Sequence, residues 1–246
     1  MNEDEKKIKK AIQLLIRLKR ERSDPAAAAA TLAAFGMCIE KTLIDALSEK
    51  DRSVLDASAA ALGMLKSTNA IPALVECHLK EASSRIQATI VVAVMNIGKP
   101  AIPALAGLLS TGNSNQVAIV AYLLGDLGAK QAAPSILLHL RDESRVAWLP
   151  CADALVKLGF FVEACAYVRQ LALEGTDRFA CMGKIEYIMS KAKDMGVFGR
   201  RENNSPIDFD KLTLKKFPHL QPSATMPIGK QPAYVSIAAQ QRRRLC

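Results

Sequence analysis

The sequence predicts an all-α fold, an α-solenoid of stacked antiparallel helix pairs repeating every 31 residues or so. Three observations carry that expectation. Pro72, Pro103 and Pro134 are each 31 residues apart. The phrase around them recurs, as Ala70-Ile71-Pro72-Ala73-Leu74, Ala101-Ile102-Pro103-Ala104-Leu105 and Ala132-Ala133-Pro134-Ser135-Ile136. A second phrase keeps the same register, with Leu62-Gly63-Met64-Leu65 returning two periods later as Leu124-Gly125-Asp126-Leu127. A fixed period of this length marks units that each bury an apolar face only against their neighbours.

The elements follow in order. Residues 6–22 read as an amphipathic helix with Ile8, Ile12, Leu15 and Ile16 on one face and Lys6, Lys9, Lys10, Arg17 and Arg20 largely away from it. Asp24 and Pro25 then start a helix over 26–35, as N-cap and first helical residue, and Gly36 ends it. Inner helices are expected near 39–49, 70–81, 101–110, 132–141 and 162–173, and outer helices near 53–65, 84–97, 115–127 and 144–158. A proline opening an inner helix removes an N–H that would be unpaired there anyway. Gly36, Gly98, Gly128 and Gly159 fall where outer helices should stop in a left-handed residue, although Gly98 is one residue off register. Pro150 falls inside an expected outer helix, where it should kink that helix or mark its true start. Core positions also repeat: Leu43, Leu74, Leu105, Ile136 and Tyr167 are spaced by 31, as are Leu47, His78, Leu109, Leu140 and Leu171.

This gives four segments: a basic N-terminal helix over 1–25, the repeats over 26–176, a capping helix over 177–196 with Phe179, Met182, Ile185 and Ile188 apolar, and a tail over 197–246. The tail holds five of the eleven prolines and no sustained period, so an extended or disordered segment is expected. Its candidate contacts are Phe209 and Phe217, set among charges with Ile207 and Leu214, then Tyr234 and the run Arg242, Arg243, Arg244.

Net charge is +9, and its placement narrows the function. The four segments carry +3, −1, +1 and +6, so the repeats are near neutral and the basic character sits at the ends. A solenoid that wraps duplex DNA should line its own face with Lys and Arg. The six cysteines contain no CxxC pair and five lie in apolar helical stretches, which predicts buried free thiols in a reducing, cytoplasmic setting. The opening Met1-Asn2-Glu3-Asp4-Glu5 has the wrong charge for a signal peptide, and no apolar run approaches a membrane span.

No metal, cofactor or catalytic cluster is expected. No Ser/His/Asp order stands out, and Gly125-Asp126-Leu127-Gly128 reads as a helix end instead of a phosphate loop. His78 occupies a register position that Leu fills elsewhere and reads as a core-edge residue. Trp148 reads as a packing anchor. The candidate site is the inner face. Asp45, Glu76, Gly107 and Arg169 form one row, Ser48, Ser110 and Arg141 another, and Glu49, Lys80, Thr111 and Asp142 a third. His139 stands in the column of Ala46, Cys77 and Leu108, next to Arg141, and joins the candidates. Gly107 and Ser110 remove bulk near the centre, with acidic residues toward the first repeats and basic residues toward the later ones.

The phrases Ala-Leu-Gly-x-Leu and Ala-x-Pro-x-Leu, at a period near thirty over residues 26–173, resemble the short HEAT-like repeats of the phycobilin lyase type. The resemblance implies a curved stack of helix pairs with a concave inner face used for binding. Such repeats occur in bilin lyases and in scaffolding and regulatory proteins of bacteria. No residue here matches a lyase-specific site, and the repeated His-Glu iron ligands of deoxyhypusine-type HEAT hydroxylases are missing. The near-neutral array also departs from the basic concave face of HEAT-like DNA glycosylases. The expectation is therefore a non-enzymatic scaffold or adaptor that holds a protein or peptide on its concave face, with the basic tail as a second contact. Two alternatives remain open: a bilin lyase-like chromophore-binding protein, and a protein that contacts nucleic acid or an acidic surface weakly through its basic ends. The oligomeric state is not legible in the sequence.

Overall fold

The computed structural model describes residues 2–21 and 24–196. Among these residues there are helices and turns and no strand, and the fold is an all-α solenoid of helix pairs. The helices are α1 (Glu3–Glu21), α2 (Pro25–Ala33), α3 (Glu40–Ala46), α4 (Arg52–Met64), α5 (Ile71–Lys80), α6 (Ser84–Ile97), α7 (Ile102–Thr111), α8 (Ser114–Asp126), α9 (Ala133–Leu138), α10 (Arg145–Leu158), α11 (Phe161–Leu173) and α12 (Arg178–Asp194). Short 3-10 turns at Met37–Ile39, Lys99–Ala101 and Lys130–Ala132 lead into α3, α7 and α9. The chain separates into two compact units. One holds Met1–Leu108 and Tyr122–Ala129; the other holds Leu109–Ala121 and the described residues from Lys130 on.

In the first unit the outer helices α2, α4 and α6 lie side by side, with α3 and α5 packed behind α4 and α6. The chain starts α2 as the sequence predicts: Pro25 is its first residue and Asp24 accepts a hydrogen bond from the Ala26 N–H at 3.0 Å. Asp51 does the same for α4, accepting from the N–H groups of Ser53 and Val54. Helix α4 is buried almost all round, because Ala57, Ser58, Ala59, Ala61 and Gly63 let both neighbours come close. At Gly63 a Cβ would lie 2.6 Å from the Cα of Ala93 on α6. The recurring Leu-Gly phrase thus has a steric reason at its first occurrence. Leu62 and Leu74, fully buried, each contribute ~1.5–3 kcal/mol.

Gly36, Gly98, Gly128 and Gly159 all have positive φ, as expected of residues that end helices. Gly98 directly follows the last residue of α6, Ile97, whereas Gly128 stands two residues past the end of α8. After α4 the left-handed place is held by Lys66, at φ 55°, with no glycine.

Helix α1 corrects one expectation. It buries Ala11, Leu15 and Leu18 against α2, α3, α4 and the Met37–Ile39 turn, while Ile12 and Ile16 are exposed. The face read from the large isoleucines is rotated from the true one. Close packing selects the small Ala11, and an apolar-moment reading gives it too little weight.

In the second unit α10 runs from Arg145 through Pro150 to Leu158, so the proline does not mark its start. Asp177 caps α12 through the Phe179 N–H at 2.9 Å, and α12 packs on α11 and α10. The buried side chains of α12 are Cys181, Lys184, Ile188 and Ala192, whereas Phe179 and Met182 face outward. Lys184 is only 6% exposed. Its ammonium donates to the carbonyls of Leu140 and Asp142, both at 2.7 Å, and lies 5.4 Å from the centre of the Trp148 ring. It therefore satisfies carbonyls at the end of the 3-10 turn His139–Arg141, which no helical N–H reaches. Trp148 also meets Tyr187 edge-on, with ring centres 5.7 Å apart. The Tyr187 hydroxyl donates to Asp153 at 2.7 Å, and Lys191 pairs with the same carboxylate at 3.4 Å.

No single described helix is long and apolar enough to cross a membrane. The five described cysteines are free, and Cys77, Cys151, Cys165 and Cys181 are buried. Burial pushes the Cys165 thiol up to about 12 and that of Cys151 higher still, with Glu163 and Asp142 adding to the respective shifts. These thiols stay protonated and act as packing atoms.

Candidate partner-binding cleft

The C-terminal ends of α3 and α5 and the start of α4 enclose a cleft of about 480 Å³ in the first unit. Its apolar lining comes from Ile44, Leu47, Leu55, Ala73, Cys77 and Ala82. Its rim is charged: Glu49 and Lys50 follow α3, Arg52 opens α4, and Glu76, Lys80 and Glu81 end α5. Leu47, Leu55 and Cys77 are buried because they also belong to the core. Periodicity places them there: the repeat helices, inner and outer, return to the same face every three or four residues.

The rim charges are matched locally. Lys19 of α1 pairs with Glu49 at 3.1 Å, Arg52 pairs with Glu81 at 3.4 Å, and Lys80 pairs with Glu76 one turn earlier. Both Glu76 and Lys80 keep most of their side-chain surface in water. An acidic block is therefore not what this end presents. It presents an apolar floor inside a ring of exchangeable ion pairs.

The nine groove candidates divide between the two units. Asp45, Glu49, Glu76, Lys80 and Gly107 belong to the first; Ser110, His139, Arg141 and Arg169 belong to the second. Of the first group, Glu49, Glu76 and Lys80 line the cleft. Asp45 is exposed on α3 outside that lining, and its carbonyl accepts from the Ser48 hydroxyl at 2.7 Å. Gly107 is exposed, and a Cβ there would meet nothing within 4 Å. The absent side chain does leave open space.

In the second unit Ser110 is exposed on α7 and Arg169 is half-buried on α11. Arg141 pairs with Glu174, just past α11, at 3.0 Å. His139 is half-buried, with Nε2 3.1 Å from the Leu109 carbonyl, so Nε2–H donates and ties α7 to the turn after α9. Burial holds its imidazole below the usual histidine range, against the opposing pull of the Leu109 carbonyl and Asp142. Its ring edge serves as a packing strap. His78 is likewise held low by burial, and its Nδ1 is buried with no hydrogen-bond partner. Among the described residues no three His, Cys, Asp or Glu side chains gather as a metal site would require. The candidates Phe209, Phe217, Tyr234, Arg242, Arg243 and Arg244 lie outside the described residues.

Sequence reasoning missed the floor of the cleft and half of its charged rim, Lys50, Arg52 and Glu81. Ile44, Leu55 and Cys77 sit on three different helices, and only their meeting makes a hollow. It also missed Lys184, whose burial among Cys181 and Ile188 no periodic pattern signals.

Residues 40–123 match a family model for HEAT repeats. The matched stretch, from α3 into α8, is HEAT-like repeat, as its phrases led one to expect, and HEAT repeats mediate protein–protein interaction. None of the curated proteins matches the chain. Among solved structures, the crystal structure of an engineered protein is 19% identical, with 79% of this chain and 98% of that one covered and a TM-score of 0.37. Human deoxyhypusine hydroxylase in complex with glycerol is 20% identical, with 75% and 74% covered and a TM-score of 0.36.

Proposed function

We propose that this chain is a cytoplasmic, non-enzymatic scaffold or adaptor that grips a protein or peptide on the inner, concave side of its repeats, with the basic segment 197–246 as a second contact. The observation that carries the reading is the cleft between α3, α4 and α5: an apolar floor rimmed by ion pairs, of which Lys19–Glu49 and Glu76–Lys80 are exposed on both sides. Exposed ion pairs of this kind are worth ~0–1 kcal/mol each, so a partner can exchange them at small cost while covering the floor. Free, protonated cysteines agree with a reducing compartment. A second contact on the same chain raises apparent affinity through effective concentration.

The test is affinity capture with the full chain, with a chain lacking 197–246, with Ala73→Trp, which fills the cleft, and with Glu76→Lys/Lys80→Glu, which keeps an ion pair but reverses its order. The expected result is a stable protein partner that Ala73→Trp loses, that the swap weakens, and that the shortened chain holds less tightly. Failure of the full and shortened chains alike to retain any protein partner would overturn the reading. A visible absorbance change on mixing with a bilin, in the absence of any protein partner, would replace it with chromophore binding.

A further inference from the structure

Helix α12 has two unlike faces. Cys181, Lys184, Ile188 and Ala192 are buried. Phe179, Met182, Gly183 and Glu186 stand at i, i+3, i+4 and i+7 on the other side. Phe179 is 86% exposed, Met182 57%, and Leu173, at the end of α11, 72%. These are the three most exposed large apolar side chains among the described residues, and they fall within ten positions of sequence. Scattered exposed apolar residues need no explanation, but a concentration does. Gly183 adds an independent sign. A glycine inside a helix costs about 1 kcal/mol relative to alanine. No described contact requires it, since a Cβ there would meet nothing within 4 Å. A glycine on an open helix face suits another backbone passing close above it.

The chain itself supplies a candidate within reach. Gly196 lies 17 residues beyond Phe179, about 25 Å along a helix at 1.5 Å per residue. The ten residues 197–206 can span up to about 35 Å when extended. Residues 207–217 therefore reach the exposed face with length to spare. They carry Ile207, Phe209, Leu212, Leu214 and Phe217. Charge also matches. Asp208 and Asp210 come first and Lys215 and Lys216 last, whereas Arg178 opens α12 and Glu186 closes the apolar patch. Acid meets base when the segment runs parallel to α12.

We propose that residues 207–217 dock on the face of α12 formed by Phe179, Met182 and Gly183, an intramolecular contact that shields this apolar surface. It does not depend on the partner proposed for the first unit. The test places p-benzoylphenylalanine at position 179 of the full chain, where an exposed phenylalanine tolerates the extra ring. Irradiation should give adducts within residues 207–217 of the same molecule, at a yield independent of protein concentration. Phe209→Ser/Phe217→Ser should cut that yield at least about tenfold, the factor that corresponds to ~1.4 kcal/mol. Adducts to a second copy that grow with concentration, adducts confined to other segments, no adducts, or a yield indifferent to the double substitution would each overturn the proposal.

Discussion

Replacing Gly63 by alanine asks whether α4 and α6 are held together by close backbone approach or by ordinary side-chain packing. The added methyl would sit 2.6 Å from the Cα, 2.8 Å from the Cβ and 3.1 Å from the carbonyl oxygen of Ala93. Two of these three atoms are backbone, so no rotamer change can relieve the clash; the helices must separate. Overpacking a close-packed site costs ~1–3 kcal/mol, and a backbone obstacle puts this site at the upper end. Alanine at the same time favours the helix by about 1 kcal/mol over glycine. The net expectation is a loss of ~2 kcal/mol. Gly107→Ala supplies the opposite case, because its Cβ enters open space, and it should gain up to about 1 kcal/mol. Urea unfolding followed by helical circular dichroism measures both. The midpoint should fall for Gly63→Ala and rise for Gly107→Ala, with the slope unchanged. Ala93→Gly should restore part of the loss in the Gly63→Ala background and not all of it, since the Ala93 Cα remains in the way. A Gly63→Ala chain as stable as the parent would refute the reasoning.

The other predictions follow from single sites. Lys66→Gly should stabilise the protein by ~1 kcal/mol, since Lys66 is the one non-glycine residue with positive φ among those described; an unchanged or lower thermal midpoint would contradict this. Lys184→Met keeps the length of the side chain but strips the Leu140 and Asp142 carbonyls of their donor, and hydrogen bonds from a charged group contribute ~1.5–3 kcal/mol each. It should therefore destabilise the second unit by several kcal/mol, and the fluorescence of Trp148, the chain's sole tryptophan, should report the loosening of α12. His139 and His78 have folded pKa values below their unfolded ones, so between those values the unfolded chain binds more protons and stability rises with pH. Read downward, stability should begin to fall as pH drops through the ordinary histidine range and finish falling below the depressed folded values. A urea midpoint measured at about pH 7.5 and about pH 5, either side of that range, should fall less for His139→Gln than for the parent; identical losses would remove His139 as a cause.

Legibility in the sequence varied with how far each feature depends on repetition. Prolines at one interval and glycines after helices marked element boundaries, because each acts through its own backbone: Pro25 begins α2, and Gly159 closes α10 in the left-handed region. The faces of α1 and α12 were harder, since size misleads. Ala11 and Cys181 are buried while Ile16 and Phe179 are exposed, so the largest apolar side chains do not by themselves locate the packed side. The cleft was half legible. Its rim residues Glu49, Glu76 and Lys80 could be placed by spacing on repeat helices. Its floor could not, because a hollow is defined by what three helices fail to fill, and no single helix records that. His139 was legible as a position and not as a role: the column put it beside α7, but only the 3.1 Å contact to the Leu109 carbonyl makes it a strap.

The same logic explains two carboxylates that no repeat phrase includes. Asp56 on α4 is nearly buried, yet it accepts from the Thr89 hydroxyl at 2.6 Å and pairs with Arg85 at 3.0 Å, both from α6. Asp153 on α10 accepts from Tyr187 and pairs with Lys191, both from α12. In each unit, then, one outer helix offers a carboxylate and a neighbouring helix answers with one hydroxyl and one cation four residues apart. Apolar surfaces alone would let one such helix slide along the next by a turn at little cost, because alanine and leucine repeat along both. A carboxylate bonded to two groups at fixed spacing admits one register, since a slip would strand a poorly hydrated charge. Neither pair belongs to the 31-residue pattern, and their chemistry accounts for that. The repeat supplies adhesion common to every interface, and the odd residues decide where along its neighbour each helix stops.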